Sequence, residues 1–541
     1  MIKWIKRRWR AIAWTLGSAA VLTLYLSCCK SLWKSNPLFD ENSTKNYDQT
    51  FYIRTADMFA TGFTGRLPRS RMPLYPWLIH FFLRPDAGLE QNLTPLIRVN
   101  VAISVLCLGA IFFMLRRPLG TWLSVLTTLV TAFRVFVFKA VLVQPEILFF
   151  TLFLGLFFLM LHYLNQPSWR LAAGAGLLAG VTHLTKGSAL LMIGIFLALT
   201  FIREFSGKSS SGEGNVARWR RACLRPLLFL TGFLTVAGLW LRNSYREYGN
   251  ALYDPNTRYY FWAENSREML ALQHLGLADW KPRFAQNDVD DPVVDEFFPK
   301  WVTDPAMRED LLARAKAGDS VVLEGRYDIL PGAKRWMAQH SWRDAFHRLW
   351  AGFFGEEEHE PDPKKKRKKI DENRNRVLLY VPSVGTGESL IRHNREHPNG
   401  YWDFLRFMFG GAAVTMGLGC IFSWRTVRDA CVDNWIPLLF AVSVILITGF
   451  SYAWWAHISN RNRYMLTLYL PLMTSFGLLI RFACRHIPIH AKVVWRQRSF
   501  VIGGYAIFLL AYTFFVLTDL NDPLNRHNLD KPNELFRQIV Q

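Results

Sequence analysis

The 541-residue chain is 51% apolar and 15% aromatic, yet 20% of its residues are charged and its formal net charge is +22. The apolar residues form blocks separated by short basic loops, which excludes an ordinary soluble globular protein and predicts a multi-pass integral membrane protein. Because the loops explain the basic excess, we expect membrane lipids as partners and no nucleic acid.

The first apolar block, residues 11–29, holds nineteen residues without a charge. As a helix it is about 28 Å long, close to the thickness of the hydrocarbon core of a bilayer. Its apolar core is longer than that of a cleaved signal peptide, and Tyr25 and Leu26 precede "SCC" in place of a small-residue cleavage site. We therefore interpret this block as a retained transmembrane helix.

The apolar segments predict an all-α membrane fold with about eleven transmembrane helices. They lie near residues 11–29, 97–115, 119–133, 145–164, 171–185, 188–202, 222–241, 402–423, 435–453, 464–482 and 499–518. With the N-terminus in the cytoplasm, the short basic loops all fall on the cytoplasmic side, as the positive-inside rule requires. The C-terminus and a long insert then lie outside.

The predicted domain organisation follows from these segments. It comprises a first transmembrane helix (1–30), an extracytoplasmic loop with interfacial helices (31–96), transmembrane helices 2–7 (97–241), an extracytoplasmic soluble insert (242–401), transmembrane helices 8–11 (402–520) and an extracytoplasmic tail (521–541). The insert is expected to be α or α+β, because residues 304–318 have a helical apolar stripe behind the capping residue Asp304. It contains no cysteine, so no disulfide framework supports it.

The first outer loop carries polar residues close to the membrane. Asp48, Tyr52 and Ala56 recur at every fourth position and would share one face of a helix. The segment from Arg71 to Arg84 is amphipathic but too short to span, so we expect it on the outer leaflet, where a guanidinium group suits a phosphate. Alternatively, Asp48 only caps a surface helix and the arginines contact anionic lipid.

Three later segments place charges at the outer ends of membrane helices. Glu146 follows Pro145 in the first turn of an apolar helix, where the helix dipole alone also favours a negative charge. Lys186 lies in a break between two short apolar segments and needs a partner or a ligand there. Arg463 enters a helix from outside, against the positive-inside trend. Carboxylates that accept a proton and cations that hold a phosphate suit displacement of a lipid phosphate by an alcohol.

The order of the motifs resembles the GT-C glycosyltransferases related to protein O-mannosyltransferases and to the aminoarabinose transferase of lipid A. In chain order the motifs are "YDQTFYIRTADMFATG", "RSRMPLYPWL", "VQPEILFF", "HLTKGSALL", "LRNSYREYG" and "RNRYMLTLYLP". The resemblance implies a GT-C-like fold and an inverting hexosyl- or pentosyltransferase. Such an enzyme moves a sugar from a polyprenyl-phosphate donor to a glycan, lipid or protein acceptor on the non-cytoplasmic side, here of a bacterial inner or plasma membrane.

The resemblance also assigns roles to the two acidic residues. Asp48 matches the acid of the first outer loop that is thought to activate the acceptor, and Glu146 matches the second acidic position. Many relatives carry paired acids in the first loop, whereas Asp48 is followed by Gln49, and Asp40 and Glu41 precede it. Which acid of this loop is catalytic therefore stays open.

The basic positions of the family fall on residues from three separate segments. Arg71 and Lys186 match basic residues near the lipid phosphate, and Arg463 is placed there too. Tyr52 and Tyr75 are candidate acceptor-binding residues.

A transporter or flippase for a lipid or lipid-linked sugar is the alternative, in which the same charges would line a path. Transporters carry ionisable residues deep in several helices, and such charges are few in this sequence. No metal site is predicted, because no Cys/His cluster has zinc-site spacing. Two carboxylates could hold Mg²⁺ or Mn²⁺, as in some relatives, so metal dependence stays open.

Overall fold

The computed structural model describes residues 2–33, 47–61, 71–84, 87, 89–206, 215–248, 251–252, 427–455 and 461–486, with isolated positions at 343 and between 413 and 425. These residues form helices and short connections. Nearly all of the predicted insert, most of the segment near 402–423, the segment near 499–518 and the tail lie outside the described residues. The domain boundaries that depend on them stay predictions.

The described helices follow the apolar segments of the sequence. In chain order they are α1 (Ile2–Trp33), α2 (Tyr47–Ala60), α3 (Leu74–Ile79), α4 (Leu89–Leu119), α5 (Thr121–Thr131), α6 (Val137–Ala140), α7 (Glu146–Asn165), α8 (Trp169–Thr185), α9 (Leu190–Ser206), α10 (Asn215–Tyr248), α11 (Trp435–Trp455) and α12 (Arg461–His486). A short 3₁₀ turn, His80–Phe82, follows α3. Another, Gly187–Ala189, precedes α9.

Four stretches of the described helices are long and apolar enough to cross a membrane: Gln91–Leu119, Glu146–Asn165, Gly187–Phe205 and Trp219–Arg246. A fifth span results if Val427–Asp433 and Trp435–Ser451, which meet at an angle of 81°, are taken as one bent helix. The protein is therefore a mostly helical integral membrane protein. The described residues do not confirm the predicted number of about eleven crossings.

The connection between the third and fourth apolar segments is shorter than the sequence predicts. The third apolar segment is predicted to end near residue 133, whereas the helical backbone continues through a π-helical turn, Ala132–Phe136, into α6. Burial of Val135, Phe136 and Val137 favours this extension, because it keeps their side chains in the core. Only residues 141–145 then connect α6 to α7, so this connection is tightly constrained.

Helix α7 lies at the centre of the described bundle. It contacts α4, α8, α9, α11 and α12. Its Phe149, Phe153 and Phe157 side chains are fully buried, and Phe157 stacks on Phe440 of α11 with ring centres 5.7 Å apart. Since α7 begins at Glu146, that carboxylate is attached to the most buried of the four described spans.

Helices α8 and α10 are so close that their backbones touch. A Cβ atom on Gly176 would lie 2.0 Å from the carbonyl oxygen of Phe229, and one on Gly180 would lie 2.7 Å from the Cβ of Val236. Small residues spaced four apart allow this approach, which is a common mode of helix packing in membranes. The contact holds the end of α8 from which Lys186 follows.

Candidate functional site

Glu146 and Lys186 form an ion pair at the end of the bundle that the basic loops predict to be extracytoplasmic, here called the outer end. The Nζ atom of Lys186 lies 3.7 Å from Oε1 of Glu146. The carboxylate side chain is 1% exposed and the lysine side chain is 19% exposed, so the cation reaches the surface while the anion does not. The lysine Nζ also lies 5.6 Å from the centre of the Phe149 ring, which attracts a cation further.

Local sequence explains both positions. Pro145 caps the start of α7 and suits a first helical turn, where free N–H groups and the helix dipole favour the negative charge of Glu146. Helix α8 ends at Thr185, and Lys186 adopts an extended backbone before the 3₁₀ turn Gly187–Ala189. The predicted break in the membrane helix is therefore present, and it carries the lysine.

Arg71 packs on aromatic rings of the first outer loop. Its guanidinium carbon lies 5.6 Å from the centre of the Phe51 ring and 5.7 Å from that of Tyr52. Tyr52 in turn meets Tyr75 edge to face, with ring centres 5.6 Å apart. These contacts join α2 to α3 and hold the arginine against α2.

Three observations bring this loop to the ion pair. The terminal carbon of Met72 lies 3.0 Å from where a Cβ atom on Gly187, the residue after Lys186, would be. Helix α3, which carries Tyr75, also contacts α8, the helix that Lys186 follows. Burial raises the pKa of Tyr75 well above its ordinary value, and the nearby negative charge of Glu146 raises it further. The Tyr75 hydroxyl therefore stays protonated and donates hydrogen bonds. The structure thus gathers five of the predicted site residues in one neighbourhood: Arg71, Tyr52, Tyr75, Glu146 and Lys186.

Asn100 on α4 bonds to the connection that leads into Glu146. Its side chain is buried, and its Oδ1 accepts a hydrogen bond from the Tyr75 hydroxyl at 3.1 Å. Its Nδ2 lies within hydrogen-bond distance of three main-chain carbonyl oxygens, at 3.1, 3.1 and 2.6 Å: those of Lys139, Ala140 and Leu142.

Gln49 contacts the same connection from α2. Its side chain is fully buried, and its Oε1 accepts a hydrogen bond of 2.8 Å from the N–H of Val143. Neither Gln49 nor Asn100 is predicted as a site residue from the sequence. Asn100 left a signal, since it is a polar residue inside the apolar segment near 97–115, and a buried amide needs partners.

Two predicted site residues lie at helix starts. Asp48 is the second residue of α2, and Arg463 lies in the first turn of α12. Their side chains are outside the described part of the structure, so their roles stay predictions. The acceptor-binding role of Tyr52 and Tyr75 also stays a prediction. Both residues are buried, 6% and 0% exposed.

Within the described residues, no group of three or more His, Cys, Asp or Glu side chains could hold a metal ion. Glu146 is engaged with Lys186.

Among solved structures, the chain is similar to an oligosaccharyltransferase of Archaeoglobus fulgidus, determined with a disulfide-tethered acceptor peptide that contains the NVT sequon. The identity is 12% and the TM-score is 0.42, and the match covers 93% of this chain and 54% of that one. The chain thus spans about half the length of the oligosaccharyltransferase. Comparison with curated proteins finds no match.

The family model for dolichyl-phosphate-mannose-protein mannosyltransferases matches residues 70–209. This region contains Arg71, Tyr75, Glu146 and Lys186, together with Asn100. The match confirms what the ordered motifs indicate, namely that this membrane protein is similar to the GT-C glycosyltransferases.

Proposed function

We propose that the protein is an inverting glycosyltransferase that moves a sugar from a polyprenyl-phosphate donor to an acceptor on the non-cytoplasmic side of the membrane. The observation that carries the proposal is the pairing of Lys186 with the buried Glu146, beside the segment in which Met72, the residue after Arg71, reaches Gly187. A lysine at the end of an apolar helix and an arginine in the adjacent interfacial segment suit the phosphate of a lipid whose chain lies in the bilayer. The family match includes Lys186, Glu146 and Arg71.

In the proposed reaction, Lys186 and Arg71 bind the donor phosphate. Arg71 offers a planar group that can contact two phosphate oxygens, and Lys186 offers a concentrated charge. Both stabilise the negative charge that develops on the phosphate as its bond to the sugar breaks. Arg463, whose side chain is not described, is proposed as a third cation.

Asp48 is the proposed general base. It takes the proton of the acceptor hydroxyl, which attacks the sugar from the face opposite the phosphate and so inverts the configuration. Gln49, the next residue, is tied to Val143, and this bond keeps the start of α2 beside the connection into Glu146. The proposed role of Glu146 is to hold Lys186.

We further propose the finer features of the predicted topology. The chain crosses a bacterial inner or plasma membrane about eleven times, and the insert 242–401 lies outside, where it contributes to binding of the glycan, lipid or protein acceptor. The kinds of residue in the neighbourhood suit any lipid-phosphate donor, so they do not select a hexosyl or a pentosyl group.

The test uses the wild type, Asp48→Asn and Asp57→Asn, purified in detergent and supplied with radiolabelled polyprenyl-phosphate sugars and membrane extract. Asp57 is a matched control, because it is an exposed carboxylate on the same helix. We expect transfer by the wild type and by Asp57→Asn, and a loss of about 10²- to 10⁴-fold in Asp48→Asn at equal expression. Equal transfer by both variants would remove Asp48 as the base. Movement of intact donor across a vesicle membrane without transfer would support the flippase alternative.

A further inference from the structure

We infer that Asn100 is a positioning residue for the Glu146–Lys186 ion pair, and that it acts together with Gln49 by fixing the course of residues 141–145. This inference rests on the proposed function, in which Lys186 binds the donor phosphate. It adds two uncharged residues from α2 and α4 to the proposed reaction.

The connection from α6 to α7 needs outside partners for its backbone. Residues 141–145 are all buried, and buried main-chain polar groups must be hydrogen-bonded. As at any helix end, the carbonyls in the last turn of α6 accept hydrogen bonds from groups beyond the helix, and Pro145 has no N–H to donate. Inside the connection, the Leu142 N–H donates to the Lys139 carbonyl at 3.2 Å and the Gln144 N–H donates to the Leu142 carbonyl at 2.9 Å.

The Asn100 amide supplies what the connection requires. Its two N–H hydrogens face three carbonyl oxygens within 3.1 Å, so one hydrogen is shared. Carbonyl oxygens can only accept, which fixes the amide nitrogen on their side and directs Oδ1 to the Tyr75 hydroxyl. The amide thus has one satisfied orientation, and it links α3 to the connection through α4.

Gln49 holds the connection from a second direction. Its bond to the Val143 N–H joins residues that are 94 positions apart in the sequence, and it is buried. When one group of a buried hydrogen bond is removed, the other group is left without a hydrogen bond. The backbone that carries it must then move to reach a new partner. Glu146 begins three residues after Val143, and a displaced Glu146 would take Lys186 with it or lose the pair. In a site that depends on orientation, an error of about 1 Å can reduce the rate by about 10²-fold.

Asn92 provides a matched control on the same helix. It is also a buried asparagine of α4, 5% exposed, and it also bonds to main-chain groups of a loop. Its Oδ1 accepts from the Arg84 N–H at 2.8 Å, and its Nδ2 donates to the carbonyls of Arg84 and Ala87 at 2.9 and 3.0 Å. Replacing it removes the same kind of bonds without touching the connection to Glu146.

The kinetic experiment compares full-length Asn100→Leu, Gln49→Leu and Asn92→Leu with the wild type, using a polyprenyl-phosphate sugar donor. We expect all three to lower the melting temperature. Only Asn100→Leu and Gln49→Leu should lower kcat/KM for the donor, by about 10- to 100-fold, with the KM for the acceptor unchanged. In the double variant, kcat/KM for the donor should fall by less than the product of the two single fold-decreases, because both bonds fix the same connection. Tyr75→Phe keeps the bonds between the Asn100 amide and the carbonyls, so it should lower kcat/KM for the donor less than Asn100→Leu does.

A second readout does not depend on activity. Hydrogen exchange of the amides in residues 139–149 should become faster in Asn100→Leu and Gln49→Leu and stay unchanged in Asn92→Leu. Unchanged exchange in Asn100→Leu, or an equal kinetic loss in Asn92→Leu, would overturn the inference. If the wild type itself transfers no sugar, the proposed function fails, and the exchange result still decides whether Asn100 positions the connection.

Discussion

The Glu146 carboxylate places a strict chemical demand on its surroundings, because it is an almost completely buried acidic group. A buried charge without a partner is costly, whereas the pair with Lys186 compensates it. The two side chains do not contribute equally to the surface of the protein, since only the lysine is partly exposed. The loss of either partner should therefore have different consequences for stability and for activity.

Lys186→Met should lower stability by about 1–3 kcal/mol, because it removes the ion pair of the buried carboxylate. The double variant Glu146→Gln/Lys186→Met should recover much of the lost stability. It should still transfer no sugar, because the lysine proposed to bind the donor phosphate is absent. Thermal unfolding in detergent and donor transfer measure the two effects separately. Lys30→Met, at an exposed lysine of α1, is the control. A double variant that transfers sugar normally would contradict the assignment of Lys186.

Local patterns indicated where Glu146 and Lys186 lie, but not that Gln49 and Asn100 bond to the connection before Glu146. Glu146 at a helix start and Lys186 in a break both follow from a few neighbouring residues, since Pro145 and the surrounding apolar runs define those positions. Gln49 and Asn100 could not be assigned in this way, because their partners are distant in the sequence and one of them is a main-chain N–H 94 residues away. A backbone partner leaves no mark on the sequence at all.

Backbone contact between α8 and α10 makes this helix pair sensitive to a single methyl group. Gly176 faces the Phe229 carbonyl, whereas Gly174, two residues earlier on the same helix, has open space around its Cβ position. The helix bounds themselves were accessible from sequence, as with the segment predicted at 145–164 and observed at Glu146–Asn165. The extension of α5 into α6 could not be predicted from the sequence, because the π-helical turn depends on burial of residues 135–137 in the tertiary fold.

Gly176→Ala should lower stability by about 1–3 kcal/mol, since the added methyl group forces two backbones apart. Gly174→Ala should be neutral or stabilising by up to about 1 kcal/mol, because alanine favours the helix over glycine. Melting temperatures of the two purified variants, compared at equal detergent concentration, provide the measurement. Equal effects at both positions would contradict the close approach of α8 and α10.

The sidedness of the protein decides which compartment the neighbourhood of Glu146 faces. Helix α4 runs from the first outer loop to the basic pair Arg116 and Arg117, so its two ends should lie on opposite sides of the membrane. The apolar segments predicted the membrane class correctly, because it is a property of composition. The orientation, which rests on the basic loops, stays a prediction. The same reasoning could not establish the fold of the insert, for which composition gives no equivalent rule.

Single cysteines in a background without native cysteines test this orientation. Asp57→Cys, exposed on α2, should react with a membrane-impermeant maleimide in intact cells, and Arg116→Cys, exposed at the far end of α4, should react only after permeabilisation. The reverse pattern would place Glu146 and Lys186 on the cytoplasmic side.

The ion pair also bears on how the proposed enzyme would complete a turnover. A donor phosphodiester carries one negative charge, whereas the spent carrier is a phosphomonoester with about −1.5 to −2 charges at neutral pH and so binds cations more tightly. Product departure limits many enzymes, and a carrier held by lysine and arginine would be slow to leave. The Glu146 carboxylate, 3.7 Å from the lysine, competes with the carrier for that cation and repels its additional charge. In the proposed reaction, the same carboxylate would thus shorten the dwell time of the spent lipid and return the lysine to its original partner.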